Sequence, residues 1–141
     1  MEVSHVNKRL TIAIEQARTR AQARRQRTAE AERAYGAFLE QVATPVTRQM
    51  ANALKVAGLG FTVATPEAGL RLSADRGRDD FIEFALDTSG PEAQVVGRVR
   101  ATRGSRTSDE TMPVKAATAP EDLTDEDVLD FLLRALEPWL S

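Results

Sequence analysis

VSHVNKRLTIAIEQARTRAQARRQRTAEAERAYGAFLEQVA, residues 3–43, decides how the rest of the chain can be arranged. It holds no proline, a single glycine (Gly36) and alanine at nearly every third or fourth place. That composition predicts one long helix. At 1.5 Å per residue the helix spans roughly 60 Å, about twice the width of a small domain. The remaining residues are too few to sheath such a rod, so much of it must project, pair with another chain, or both.

Val3, Asn7, Leu10, Ile14, Ala17, Ala21, Arg24, Thr28, Ala31, Tyr35, Phe38 and Val42 follow one another in steps of four and three, the period of a coiled coil. Both ends of this series are apolar. Its middle (Ala17, Ala21, Arg24, Thr28) permits close approach of a second helix but offers little to bury. A helix of this kind bridges two packed ends or is partnered along its length. Tyr35, Phe38, Leu39 and Val42 are therefore assigned to packing against the body, and the end from Val3 to Ile14 to a second subunit. Residues 1–43 read as a helical arm with Leu10, Ile14, Ala17 and Ala21 as its dimer contacts, and residues 44–141 as the body.

Thr44-Pro45 reads as a cap followed by the first residue of a new helix, because proline suits the first turn and disfavours helical geometry in the residue before it. Val46, Met50, Ala53, Leu54 and Ala57 share one face, and Gly58-Leu59 suits a left-handed C-terminal cap. The second helix is thus expected at about 45–57, joined to the first by a kink. From Phe61 the period changes to two. Strands are expected at 61–65, 70–74, 81–87 and about 93–102, with turns at 66–69, 75–80 and 88–92. Residues 103–109 read as an exposed loop. Residues 111–115 carry a weaker strand pattern, whose Pro113 confines it to an edge.

Short connections imply an antiparallel meander. Placing Ile82, Phe84 and Leu86 on the buried face requires Val99, Gly97 and Val95 as their partners, since a one-residue slip would expose the apolar set. Glu83 then faces Arg98 on the other side, where an ion pair is expected. After Pro120, Thr124-Asp-Glu-Asp127 resembles a capping box with aspartate in place of glutamate. Val128, Leu129, Leu132, Leu133, Ala135, Leu136, Trp139 and Leu140 form a broad apolar face on the helix that follows, which Pro138 ends. The fold class is α+β: long helix, short second helix, a meander of four to five strands, and an amphipathic C-terminal helix packed on the sheet.

Composition narrows the function classes. The chain has no cysteine, which removes disulfides, thiolate metal sites and thiol nucleophiles. Its opening residues lack a secretory signal's apolar core, and no run is long enough to span a membrane, so a cytoplasmic protein without a membrane partner is expected. Residues 1–56 hold ten Lys/Arg against five Asp/Glu, and residues 57–141 hold nine against sixteen. This split of +5 and −7 can steer one half onto an opposite half.

No motif fixes a reaction. The sole histidine, His5, sits near the start of the arm, and no serine lies in a Gly-x-Ser-x-Gly context. Asp75, Asp79, Asp80, Glu83 and Asp87 are interleaved with arginine and lack the spacing of a Ca²⁺ loop, so they read as a solvated turn. No enzyme activity, cofactor or metal is expected. Arg18, Arg20, Arg24, Arg25 and Arg27 form a basic block with no acid between them. Arg20, Arg24 and Arg27 share one side of the helix and are the candidate phosphate contacts. Arg98, Arg100, Arg103 and Arg106 make a second basic set, expected on the outer face and tip of the fourth strand.

The leading expectation is a non-enzymatic interaction module, homodimeric through the arm, whose body receives a partner protein in the manner of an adaptor or chaperone. The alternative is a nucleic-acid-associated protein holding the phosphate backbone through the arginine block. A third reading places a small-molecule pocket between sheet and C-terminal helix, near Phe84 and Trp139.

Overall fold

The computed structural model describes residues 1–67, 69–76 and 79–140. Two expected turns, 66–69 and 75–80, include residues outside that description (Ala68, and Gly77 with Arg78). The architecture is the expected α+β class: helix α1 (Val3–Phe38), helix α2 (Thr44–Val56), five strands, and C-terminal helices α3 (Asp125–Ala135) and α4 (Glu137–Leu140). None of the described helices is long and apolar enough to cross a membrane.

The passage from α1 to α2 differs in mechanism from the expected cap. Thr44 keeps helical angles (φ −65°, ψ −48°), and its backbone N–H bonds to the Leu39 carbonyl five residues back. Residues Leu39–Ala43 thus form one wide π turn inside a continuous helix. The widening shifts the carbonyl four residues before Pro45, which the proline ring would otherwise strike. Proline therefore re-phases the helix here rather than ending it. Tyr35, Phe38, Leu39 and Ala43 enter the core around this turn, with Val42 packed against them. Helix α2 ends as expected: Gly58 has φ +83°, and the N–H groups of Gly58 and Leu59 bond to the carbonyls of Lys55 and Leu54. This is the paired bonding of a Schellman cap.

Strands β1 (Phe61–Ala64), β2 (Leu70–Ala74), β3 (Phe81–Asp87), β4 (Gln94–Arg103) and β5 (Arg106–Pro113) lie in chain order in one antiparallel sheet. The β3–β4 register is the one the apolar pattern demands: Ile82 opposite Val99, Phe84 opposite Gly97, Leu86 opposite Val95. The expected loop at 103–109 is a correction. Arg103 pairs directly with Arg106, leaving a two-residue turn of Gly104 and Ser105, and β5 runs from there. Gly104 alone of the two has positive φ (+60°), as a type II′ hairpin turn requires. The signal was the Gly-Ser pair. It was obscured because β5 lies exposed at the sheet edge and so carries no apolar alternation.

The inner sheet face meets the helices through an aromatic row. The Phe38 and Phe84 ring centroids are 6.4 Å apart, and those of Phe84 and Phe131 are 5.4 Å apart at an interplanar angle of 64°. Phe131, fully buried, was missing from the expected helix face, whose true seam is Val128, Phe131, Leu132, Ala135 and Leu136. Leu133 and Leu140 turn out to solvent at 48% and 51% exposure. The capping box is present as expected: Asp127 N–H donates to Thr124 Oγ1, and Thr124 N–H donates to the Asp127 carboxylate. Pro138 does not end a single helix. The chain turns after Ala135, and Pro138 sits in the first turn of α4.

The core can be probed at two positions. A Cβ at Gly97 would overlap the tip of the Phe131 ring, so Gly97→Ala should cost about 2–3 kcal/mol by overpacking. Urea unfolding measures the loss, and adding Phe131→Leu should recover part of it. Tyr35 carries a buried hydroxyl with no partner among the described residues. Burial first, and the charge of Glu83 second, push its pKa up from 10.0 to about 12. A raised native pKa leaves stability intact below pH 10 and erodes it as pH climbs from 10 to about 12. Tyr35→Phe should therefore match or exceed the parent's stability at pH 8 and lose less on going to about pH 11, as read by urea titration at both.

Candidate interaction surfaces

Every residue from 1 to 20 is exposed, so α1 leaves the body as a bare rod for about half of its length. Five large apolar side chains stand on it: Val3 at 75% exposure, Val6 at 46%, Leu10 at 56%, Ile12 at 44% and Ile14 at 41%. The Thr11 and Thr19 hydroxyls donate to the carbonyls of Asn7 and Glu15, four residues back, and so are satisfied within the rod itself. Of the expected dimer contacts, Leu10, Ile14 and Ala17 are exposed, whereas Ala21 is half-buried. His5 is exposed in the first turns of the rod.

Arg20, Arg24 and Arg27 are exposed, and none of the ion pairs among the described residues involves them. Arg24 and Arg27 border a small cavity of about 140 Å³ with Thr28, Thr88, Gly90 and Pro91, at the turn joining β3 to β4. Arg20 stands farther out along the rod, beside Ile12 and Gln16. The arginine block thus starts at the body and continues onto the bare rod.

The outer sheet face is open and polar. Glu83 lies opposite Arg98 as the register requires, yet the expected ion pair between them is replaced by two others. Glu83 pairs with Arg71 on β2, whose Nε donates at 2.6 Å. Arg98 reaches across to Asp109 on β5 with two hydrogen bonds of 2.9 and 2.7 Å. Arg98 had two carboxylates within reach, and the forked geometry of guanidinium and carboxylate favours the bidentate partner. Both guanidinium groups also sit over the Phe81 ring, at 4.3 and 5.4 Å, shielding an aromatic that faces away from the core. The Arg98 contact holds the Asp109 carboxyl below the usual range. Both groups are exposed, so the pair contributes little to stability.

The second basic set does not form one patch. Arg98 and Arg100 point to the outer face. Arg103 and Arg106 point inward, with Arg103 donating to the Pro138 carbonyl at 3.0 Å. A one-residue difference in parity along the strand separates the two pairs.

The expected pocket near Phe84 and Trp139 is filled: Phe84 lies in the aromatic row, and Trp139 meets Phe61 edge to face at 5.4 Å. An open groove of about 480 Å³ lies instead beyond Ala135, between the β4–β5 hairpin and the α3–α4 bend. Val99, Ala101, Met112 and Pro138 contribute its apolar lining, and Arg106 and Arg134 its basic part. The hairpin that makes one wall is pinned close to its turn by Asp80, a buried carboxylate that accepts from the Thr102 N–H and hydroxyl, both at 2.9 Å. Sequence reasoning missed this groove because it read residues 103–109 as a loop and began the fifth strand only at 111.

Four of the five acidic residues considered as cation ligands have other duties. Asp75 accepts from Thr62, Asp80 holds Thr102, Glu83 pairs with Arg71, and Asp87 accepts from Ser89. Among the described residues no group of three or more carboxylates, histidines or cysteines is placed to hold a metal ion. Comparison of the chain with protein-family models, with curated proteins and with solved structures finds no match.

Proposed function

We propose that this protein is a non-enzymatic cytoplasmic interaction module that homodimerises through its arm and presents the body to a partner protein. The observation that carries the reading is the bare rod with Val3, Leu10 and Ile14 on its heptad seam. Exposed apolar side chains in a contiguous run favour a protein contact over solvation. Burying those three from each of two copies yields about 9–18 kcal/mol gross, at about 1.5–3 kcal/mol per side chain. Association costs about 4–15 kcal/mol. Micromolar binding needs a surplus of about 8 kcal/mol, which lies within the range of that difference, so a dimer of about micromolar strength is expected. On the body, the exposed edge of β5 beside its groove suits an extended segment of the partner added as a further strand.

Light scattering coupled to size exclusion tests the arm. The parent should run at twice the chain mass at tens of micromolar. Leu10→Asp with Ile14→Asp should halve that mass while the near-ultraviolet signal of Trp139 is unchanged. A mass that does not fall removes the arm as the interface.

The exposed Arg20, Arg24 and Arg27, outside every ion pair among the described residues, favour one second reading: contact with a nucleic-acid backbone. Three phosphate contacts imply that binding to duplex weakens about 40-fold between about 50 and 200 mM salt. Changing the three arginines to glutamate should abolish that binding. Binding that is absent, or indifferent to salt, eliminates this reading.

A further inference from the structure

We infer that two arms pair antiparallel, with Leu10 of each copy against Ile14 of the other, so that the two bodies sit at opposite ends of a rod. The inference rests on self-association through the arm and adds its direction and register. It follows from what each arrangement would put face to face.

In a parallel, in-register pair every seam residue meets its own copy. Asn7 would stack on Asn7, Ala17 on Ala17, Ala21 on Ala21, and Arg24 on Arg24 within the seam itself. Arg20 would also flank Arg25 of the other helix, by the usual offset between neighbouring edge positions. Five arginines from each copy, at positions 18, 20, 24, 25 and 27, would lie side by side along a stretch of about 15 Å. The rod supplies no acid between Gln16 and Thr28 to offset them. Like charges at such spacing oppose pairing, and a guanidinium inside the seam has no partner there.

Reversing one helix separates the arginines and ends the layers of alanine on alanine. With Leu10 against Ile14, the layers become Val3 with Ala21, Asn7 with Ala17, and Leu10 with Ile14, each repeated by the twofold axis. The four bulkiest seam residues meet at the centre, and a larger residue faces an alanine on either side. Arg24 falls beyond the overlap, in water. The arginine blocks of the two copies move about 30 Å apart along the axis, several times the screening length of about 8 Å at physiological salt. Val6, which lies off the seam yet is 46% exposed, comes beside Arg20 of the other copy, where the aliphatic stem can cover it.

The body does not obstruct this arrangement. The overlap stops at Ala21, before α1 meets the β3–β4 turn at Arg24 and Thr28. With the axis midway between Leu10 and Ile14, the two Tyr35 residues stand about 70 Å apart. The dimer is therefore a two-ended rod whose β5 grooves are too distant to share one small partner.

Because the chain has no cysteine, single cysteines report on direction without background. Asn7→Cys and Ala17→Cys chains, one carrying a size tag, are refolded together and oxidised, with the mass in solution measured beside them. The antiparallel arrangement gives a tagged–untagged cross-link between the Asn7→Cys chain and the Ala17→Cys chain, and no cross-link in either variant alone. Cross-linking of the Asn7→Cys variant with itself overturns the direction and leaves dimerisation standing. A dimeric mass without any cross-link overturns the register. A monomeric mass removes both this inference and the reading beneath it.

Discussion

At Gly97 the sheet presents no side chain, and the ring of Phe131 fills the space a Cβ would take. That close approach is where α3 is held to the strands. It sets the height of the helix above the sheet, and the ring is braced by Phe84, directly across the strand pair from Gly97. Phe84 in turn meets Phe38, and Phe38 meets Tyr35, so one line of aromatic contacts runs from the C-terminal helix through the sheet to the arm. Sheet, C-terminal helix and arm base are thereby ordered by a single packing chain. A bulkier residue at Gly97 would disturb all three at once.

The π turn makes the arm's direction a property of the core. Because α1 passes into α2 without leaving helical geometry, Leu39 and Ala43 are buried on the same helix that carries Leu10 and Ile14 into solvent. A flexible loop at Thr44 would have uncoupled rod and body. A continuous helix makes the rod a stiff extension, its angle fixed by the residues around Phe38. In the proposed dimer such stiffness would hold two bodies at a set distance and spare the ordering cost on association.

The charges divide along the same line between body and arm. On the open sheet face, arginines and carboxylates pair across strands and cover Phe81, which leaves that face polar and satisfied. On the arm, Arg20, Arg24 and Arg27 stay exposed and outside every ion pair among the described residues. Such a segment repels its own copy when aligned and is free to meet an acidic surface or a phosphate backbone.

Much of this was legible in the sequence, where a single physical period controlled the outcome. The helix over residues 3–43, the β3–β4 register and the Thr124 capping box each rest on local chemistry that tolerates one solution. Apolar alternation fixes the parity of Ile82, Phe84 and Leu86, and a hydroxyl three residues before a carboxylate, ahead of an apolar helical run, caps the helix at Thr124. Tertiary structure decided the rest, because there local signals were silent or divided. Strand β5 faces solvent and shows no alternation, so pairing with β4 alone defines it. Glu83 and Arg98 face each other as their positions dictate, but each found a better partner on the next strand, which sequence distance cannot rank. Pro45 carries a stop signal on any scale of propensities, and the core overrode it by widening one turn. Phe131 reads as one apolar residue among many until Gly97 is placed beneath it, since the fit of a ring into a missing side chain exists only once the helix is laid on the sheet.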